Sequence, residues 1–336
     1  MRYRKLGNTG LQLSELSLGT WATVGDTLGA RDSQRLVESA YDEGVNFFDT
    51  AEVYSNGEAE EILGNIFKVA GWSRETYVIC TKIMWGTGLN KPNTTGLSRK
   101  HLIEGCHASM KRLRLDHLDV MLCHRVDPNT RIEETVRAIG HLLQKGDILY
   151  WGTSEWPTDA IVEACQVADD LGIMRPVAEQ SRYNLFYRKR VEGELPNCMG
   201  GSLGLCAWSP LSYGILAGNY GKEQSRIQRG DMLWLKDDLL GGDDASAKLN
   251  LASALKELSK DSGLSPAVLA LAWSLGNDHV STVLTSASNI KHLVDNLRSI
   301  NDISDLKQTR KWIDNALSHL GFRFDLDRDT VLERSE

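Results

Sequence analysis

Eight times along this chain a short run rich in β-forming residues is followed by a stretch of helical periodicity, with no change of composition midway. The runs are LSLGT, VNFFDT, TYVICTKI, LDVMLCH, ILYWGTS, PVAEQ, LGLCAWSP and VSTVLTSA. The helical stretches fall near Ser33–Glu43, Ala59–Val69, Arg99–Leu113, Ile132–Gln144, Thr158–Leu171, Arg188–Leu195, Pro266–Leu275 and Asn289–Ile300, with that near Arg188 the least clear. Strands apolar on both faces and joined through helices form parallel sheets covered on both sides. Eight such units predict a single α/β domain over residues 1–336, a closed (β/α)8 TIM barrel rather than a doubly wound sheet.

Ahead of the first unit, YRKL, the turn Gly7-Asn8-Thr9-Gly10 and LQLSEL read as a β-hairpin over residues 1–14, since Asn and Gly accept the positive φ of a tight turn. After the seventh strand, Tyr213–Ala247 is too long for an ordinary βα loop and is read as a loop over a site. A last helix over Asp305–Leu320 would cap the barrel, and Gly321–Glu336 reads as a polar tail.

Composition narrows the function. The chain has 45 acidic against 38 basic side chains, a net charge of -7, so neither nucleic acid nor an anionic membrane surface is an expected partner. MRYRKLGNTG has no apolar run behind its basic residues, and no stretch nears the roughly 18 apolar residues of a membrane span. A soluble, cytoplasmic protein is expected. Its six cysteines are dispersed without a CxxC pair, which predicts reduced thiols and no zinc site.

In such a barrel functional groups stand at the carboxyl ends of the strands. Strand two runs into Asp49 and Tyr54, strand three ends at Lys82, and strand four ends at His124 and Arg125. A phenol is a poor acid at neutral pH unless a cation stabilises its phenolate. Lys82 can be that cation, Asp49 can keep the ammonium charged, Tyr54 can protonate a carbonyl oxygen, and His124 can hydrogen-bond the same oxygen. Carbonyl reduction with hydride delivery uses such a set.

With ELSLGTW, NFFDTAEVY, TKIMWG, GLSRKHLIEG, YWGTSEW, EQSRYNLF, WSPLSYGILAGNY and TSASNIKHLVDN in place, the chain resembles the aldo-keto reductases over nearly its whole length. The resemblance is greatest to the branch that contains the voltage-gated potassium channel β-subunits. It implies that Asp49, Tyr54, Lys82 and His124 form the catalytic tetrad and that the cofactor is NADPH. It assigns Gly19, Thr20 and Trp21 to the cofactor site with Asp49, and places Ser154 and Gln180 at the nicotinamide carboxamide and Trp208 on the ring. Trp208, Ser209, Pro210, Leu211, Ser212 and Gly214 would wrap the pyrophosphate. Ser225, Arg226, Ser288, His292, Asp295 and Asn296 would hold the adenosine 2′-phosphate, helped by the free N–H groups of the helix beginning at Asn289. Arg226 would add a charge-assisted fork. No GxGxxG or GxxxxGK motif is present, so the barrel itself must supply the phosphate site.

The channel subunits have asparagine where this chain has His124, arginine at Glu155, lysine at Asn219 and glutamine at His292. The first difference completes the tetrad of the active reductases, and the others bear on the affinity and exchange of NADPH. With a start only a few residues before the first strand, and so without a pore-plugging extension, the expectation is an NADPH-dependent reductase of an aldehyde or ketone. The alternative is a channel-associated redox sensor. The branch also implies a homo-oligomer with four-fold assembly.

Trp21, Val53, Trp85, Trp156 and Tyr213 are the expected substrate walls, favouring an apolar, aromatic or bulky carbonyl compound, although packing alone also accounts for Trp85. Cys123 beside His124 suggests a thiol dyad, but adjacent strand residues face opposite ways and a buried structural cysteine is expected. Asp325-Leu326-Asp327-Arg328-Asp329 has the spacing of a calcium loop, yet Thr330 stands where glycine is required. His101, His107, His117 and His141 lack i, i+4 pairing and are read as packing or surface residues.

Overall fold

The computed structural model describes residues 1–196, 202–218, 242–286 and 290–333. A short antiparallel hairpin, β1 (Tyr3–Lys5) and β2 (Gln12–Ser14), precedes eight parallel strands: β3 (Leu16–Gly19), β4 (Phe47–Asp49), β5 (Val78–Ile83), β6 (Leu118–Cys123), β7 (Ile148–Ser154), β8 (Ala178–Arg182), β9 (Gly204–Trp208) and β10 (Val280–Thr285). They close in sequence order, with β10 pairing back onto β3 through Val283↔Leu16 and Thr285↔Leu18. The chain folds as the (β/α)8 barrel that its periodicity predicts.

Alternation along each strand separates two cores. Phe47, Val78, Cys80, Val120, Leu122, Ala178, Cys206 and Leu284 fill the barrel, and Leu6 and Leu13 of the hairpin pack on them from the amino-terminal end. The hairpin sits close: a Cβ on Gly7, whose φ is +54°, would fall 2.5 Å from the Ser202 carbonyl oxygen. Glu15 secures it with Arg2 and Arg4 at 2.8 and 2.7 Å. The second core lies between strands and helices, where Ile79, Ile83, Met121 and Trp151 meet Leu36, Leu63, Leu102, Ile139 and Ile161.

Among the described residues the α-helices are α1 (Ala30–Asp42), α2 (Glu58–Ala70), α3 (Arg99–Leu113), α4 (Ile132–Lys145), α5 (Thr158–Asp170), α6 (Ala245–Ser262), α7 (Pro266–Leu275), α8 (Ile290–Asp302) and α9 (Leu306–His319). Their ends follow local chemistry. Ser98 and Ser265 accept the N–H groups of His101 and Val268 at the starts of α3 and α7, and glycines in the left-handed region end α2 and α4. None of the described helices is long and apolar enough to cross a membrane.

Two expectations need correction and a third gains detail. The long insertion gives way to α6 at Ala245, inside its expected limit of Ala247, and the helix continues to Ser262. Its buried stripe is thin, with Lys248 beside Leu251, Ala252 and Leu255, so the periodicity is faint. The helix expected near Arg188–Leu195 does form, and it contains a π-helical turn at Arg190–Glu194. The expected polar tail is a second hairpin, β11 (Phe322–Asp325) with β12 (Thr330–Glu333), which buries Phe322 and Val331. Asp325 serves the turn by accepting the N–H groups of Asp327 and Arg328, and Asp329 ties the turn to the segment after β8 by accepting those of Arg188 and Lys189.

Candidate active site

At the carboxyl end of the barrel, β4 and β5 bring Asp49 and Lys82 together. The Lys82 side chain is fully buried, and its Nζ donates to Asp49 Oδ2 at 2.6 Å, to the Thr50 carbonyl at 2.8 Å and to the Tyr54 hydroxyl at 3.1 Å. All three ammonium protons are thereby used. Burial is the largest influence on the pKa of Lys82 and lowers it, but the charge and hydrogen bond of Asp49, with Tyr54 and Cys80 beside them, together outweigh it and the net value is raised. Burial raises the Tyr54 pKa more than the Lys82 charge lowers it, so the resting phenol is protonated.

Tyr54 stands on a tight turn after β4 in which Ser55 and Asn56 take positive φ. His124, just beyond β6, lies edge-on to the Tyr54 ring at 5.9 Å. Burial, then the charges of Lys82 and Arg125, hold its pKa well below the ordinary range, so the imidazole is neutral. His124 Nδ1 is buried without a hydrogen-bond partner among the described residues. The four residues expected to act together therefore do converge. Cys123 is buried, and burial pushes its thiol up to about 12, far from a reactive thiolate.

Neighbouring strand ends supply the remaining groups. Gln180 of β8 donates to Asp49 Oδ1 at 2.9 Å, so this residue, expected at a carboxamide, also fixes the carboxylate. Ser154 of β7 is buried, and its hydroxyl accepts from Arg125 at 3.1 Å. Thr20 ties β3 to β4 by donating its N–H to the Asp49 carbonyl at 3.0 Å, between Gly19 and a half-buried Trp21. Trp21 meets Tyr213 edge-on at 5.7 Å, with Val53 half-buried nearby in sequence to Tyr54. Trp85 is 41% exposed, and its ring lies 4.4 Å from that of His124, which places it at the mouth.

Trp156 does not join them. It is 1% exposed, and its indole donates to the Cys123 carbonyl at 3.1 Å within the core behind the strands. The chain turns away from the mouth at Glu155, whose φ is 54°, and carries Trp156 to the outer layer. His292 and Asp295 are exposed and Asn296 half-buried on the first turns of α8, after the carboxyl end of β10. Ser225, Arg226, Ser288 and the helix start at Asn289 lie outside the described residues, as does Asn219.

The segment after β9 is unusual. Ser209, Ser212 and Tyr213 all have positive φ, at 54°, 46° and 56°, with Gly214 at 96°. A left-handed backbone is costly at each of these non-glycine residues, so the surrounding structure must hold the segment in this shape. Pro210 and Ser212 are buried and Leu211 partly so, and the hydroxyls of Ser209 and Ser212 have no partner among the described residues. Buried hydroxyls are ordinarily paired, and a polyanion would pair these. Asn184, fully buried, steadies the segment by donating to the Ser209 carbonyl at 2.7 Å.

A profile of the aldo/keto reductase family matches residues 15–312. The chain belongs to this family. Among related proteins, the aldo/keto reductase is 42% identical over 304 residues to a rice protein (Oryza sativa subsp. japonica) described as a probable voltage-gated potassium channel subunit beta. It is 43% identical over 304 residues to a protein of the same description from Arabidopsis thaliana. Each alignment covers 90% of this chain and 92% of the relative.

Two carboxylates support the candidate site through contacts that no motif foretells. Glu155 Oε1 accepts from the Trp208 indole at 2.8 Å and the Arg182 N–H at 2.6 Å, so the carboxylate sets the plane of the tryptophan. Buried Glu52 accepts the N–H groups of Met84 and Gly86, both at 2.8 Å, on either side of Trp85. His101 approaches the other Glu52 oxygen at 3.5 Å and the Gly96 carbonyl at 2.7 Å. Burial would lower the His101 pKa, but these acceptors prevail and raise it. For Glu52, the sequence signal was an acidic residue two places before Tyr54.

Proposed function

We propose that this aldo/keto reductase reduces an aldehyde or ketone to the alcohol with NADPH, Tyr54 acting as general acid. The observation that carries the reading is Lys82 Nζ lying 2.6 Å from the Asp49 carboxylate and 3.1 Å from the Tyr54 hydroxyl. A phenol held protonated by burial, yet beside a saturated ammonium, gives up its proton to a carbonyl oxygen gaining charge and leaves a stabilised phenolate. His124, kept neutral, donates one N–H to the same oxygen and orients it. Asp49 holds the ammonium, and Gln180 holds Asp49.

The residues present suit the cofactor. Buried, unpaired Ser209 and Ser212 hydroxyls on a strained segment fit a pyrophosphate. Trp208, fixed through Glu155, offers a face to the nicotinamide, with Ser154 and Gln180 at its amide and Gly19, Thr20 and Trp21 beside it. When bound, NADPH supplies the hydride. Arg226, Ser288, His292, Asp295 and Asn296 complete the reading as the 2′-phosphate group. The proposal includes a single domain, a cytoplasmic location and a homo-oligomer, with four-fold assembly as the first form to look for.

NADPH oxidation with a panel of aldehydes and ketones is the test. Turnover with NADPH ahead of NADH is expected, and no turnover with any carbonyl compound would remove the reading. His124→Asn should slow reduction by about ten- to a thousandfold, the range for losing one oxyanion donor, with NADPH affinity little changed. An unchanged kcat would make the histidine a packing residue. The plant relatives favour a second reading, an auxiliary channel subunit that senses redox state. Co-purification with a channel cytoplasmic domain, without carbonyl turnover, would support it.

A further inference from the structure

We propose that Arg125 receives a carboxylate of the substrate, so that the site selects carbonyl compounds carrying an anionic group, that is, oxo acids and aldehyde acids. The inference rests on the reductase reading above and names the substrate class. Arg125 follows His124 directly, and its side chain turns over the barrel mouth. Its Nη1 donates to the His124 carbonyl at 2.6 Å and to Ser154 Oγ, at the carboxyl end of the next strand, at 3.1 Å. The guanidinium carbon stands 5.6 Å from the centre of the Trp85 ring, which itself leans on His124. The cation is thus on the rim between Trp85, His124 and Ser154, beside the point where a carbonyl oxygen would meet Tyr54 and His124.

Its hydrogen bonds leave half the fork open. Among the described residues only Nη1 is engaged, and neither Nε nor Nη2 is a buried atom without a partner, so both donors remain reachable from solvent. Nor is the charge met. Arg74, Arg112, Arg188, Arg190 and Arg310 each face a carboxylate at 3.0 Å or less, whereas Arg125 has no ion pair among the described residues. Within the site, Asp49 is committed to Lys82 and Gln180, and Glu155 to Trp208 and the Arg182 N–H. A partly buried, unneutralised guanidinium with a free edge is built for a planar, bidentate carboxylate.

The test compares 4-formylbenzoate with its methyl ester under NADPH oxidation. In the wild type the acid should have a KM at least about tenfold below that of the ester, a gap that narrows with added salt. Arg125→Gln should raise the KM of the acid by about ten- to a hundredfold and that of the ester by less than about twofold, and Arg125→Lys should restore part of the preference. Calorimetry of benzoate against the NADP+ complex gives a readout apart from turnover: wild type and Arg125→Lys should bind it, and Arg125→Gln should not. Equal KM values for acid and ester in the wild type would overturn the proposal. So would an equal effect of Arg125→Gln on both, since the charge would then act only on His124. Benzoate capture without reduction of either aldehyde would uphold the anion site while removing the reductase reading.

Discussion

Tyr54→Phe should lower kcat by about 10²–10⁴-fold, the contribution of a positioned general acid, and leave NADPH affinity within about twofold. The expectation follows from where the hydroxyl points. It meets the Lys82 ammonium at 3.1 Å, whereas the groups proposed for the cofactor's phosphates stand after β9 and β10. Removing one oxygen leaves the ring in place, with its edge toward His124 and its face 4.7 Å from Lys82 Nζ. Fluorescence titration of NADPH and stopped-flow reduction separate the two quantities. A variant retaining more than about a tenth of wild-type kcat would defeat the assignment.

Lys82→Met should be the most destabilising single change in the site. The Lys82–Asp49 pair is buried at both ends, with side-chain exposures of 0% and 4%. Removing one partner of such a pair strands a charge and costs about 3–5 kcal/mol, whereas replacing both with neutral groups costs far less. Urea unfolding should therefore show a large loss for Lys82→Met and substantial recovery in the double variant Asp49→Asn/Lys82→Met. Neither protein should reduce aldehydes, because Tyr54 loses the cation that supports its phenolate. A loss below about 1 kcal/mol for Lys82→Met would mean that Asp49 is not held charged in the folded protein.

Strand ends carry their meaning locally. Asp49, Lys82 and His124 stand at or next to the last residues of β4, β5 and β6, and a parallel barrel sends all those ends to one rim, so the alternation was enough to expect their convergence. The thin stripe of α6 and the acidic turn of the last hairpin defeated the same logic. In the hairpin, Phe322 and Phe324 keep a period of two and Val331 pairs opposite Phe324, but the five-residue stretch Asp325–Asp329 separates the two strands and masks the pattern.

By itself the sequence determined the eight βα units, the amino-terminal hairpin, the family and the four residues at the rim, because periodicity and motif are properties of neighbours along the chain. Only the tertiary structure decided which partners hold those residues. Gln180 reaches Asp49 across 131 positions, Glu155 reaches Trp208 across 53, and Glu52 reaches Met84 and Gly86 across 32 and 34. It also decided that Trp156 packs behind the strands while Trp85 stays at the mouth, and that the Arg125 guanidinium keeps an open edge. The physical reason is barrel closure: register and shear choose which strand ends become neighbours, and one left-handed residue such as Glu155 redirects the side chains that follow.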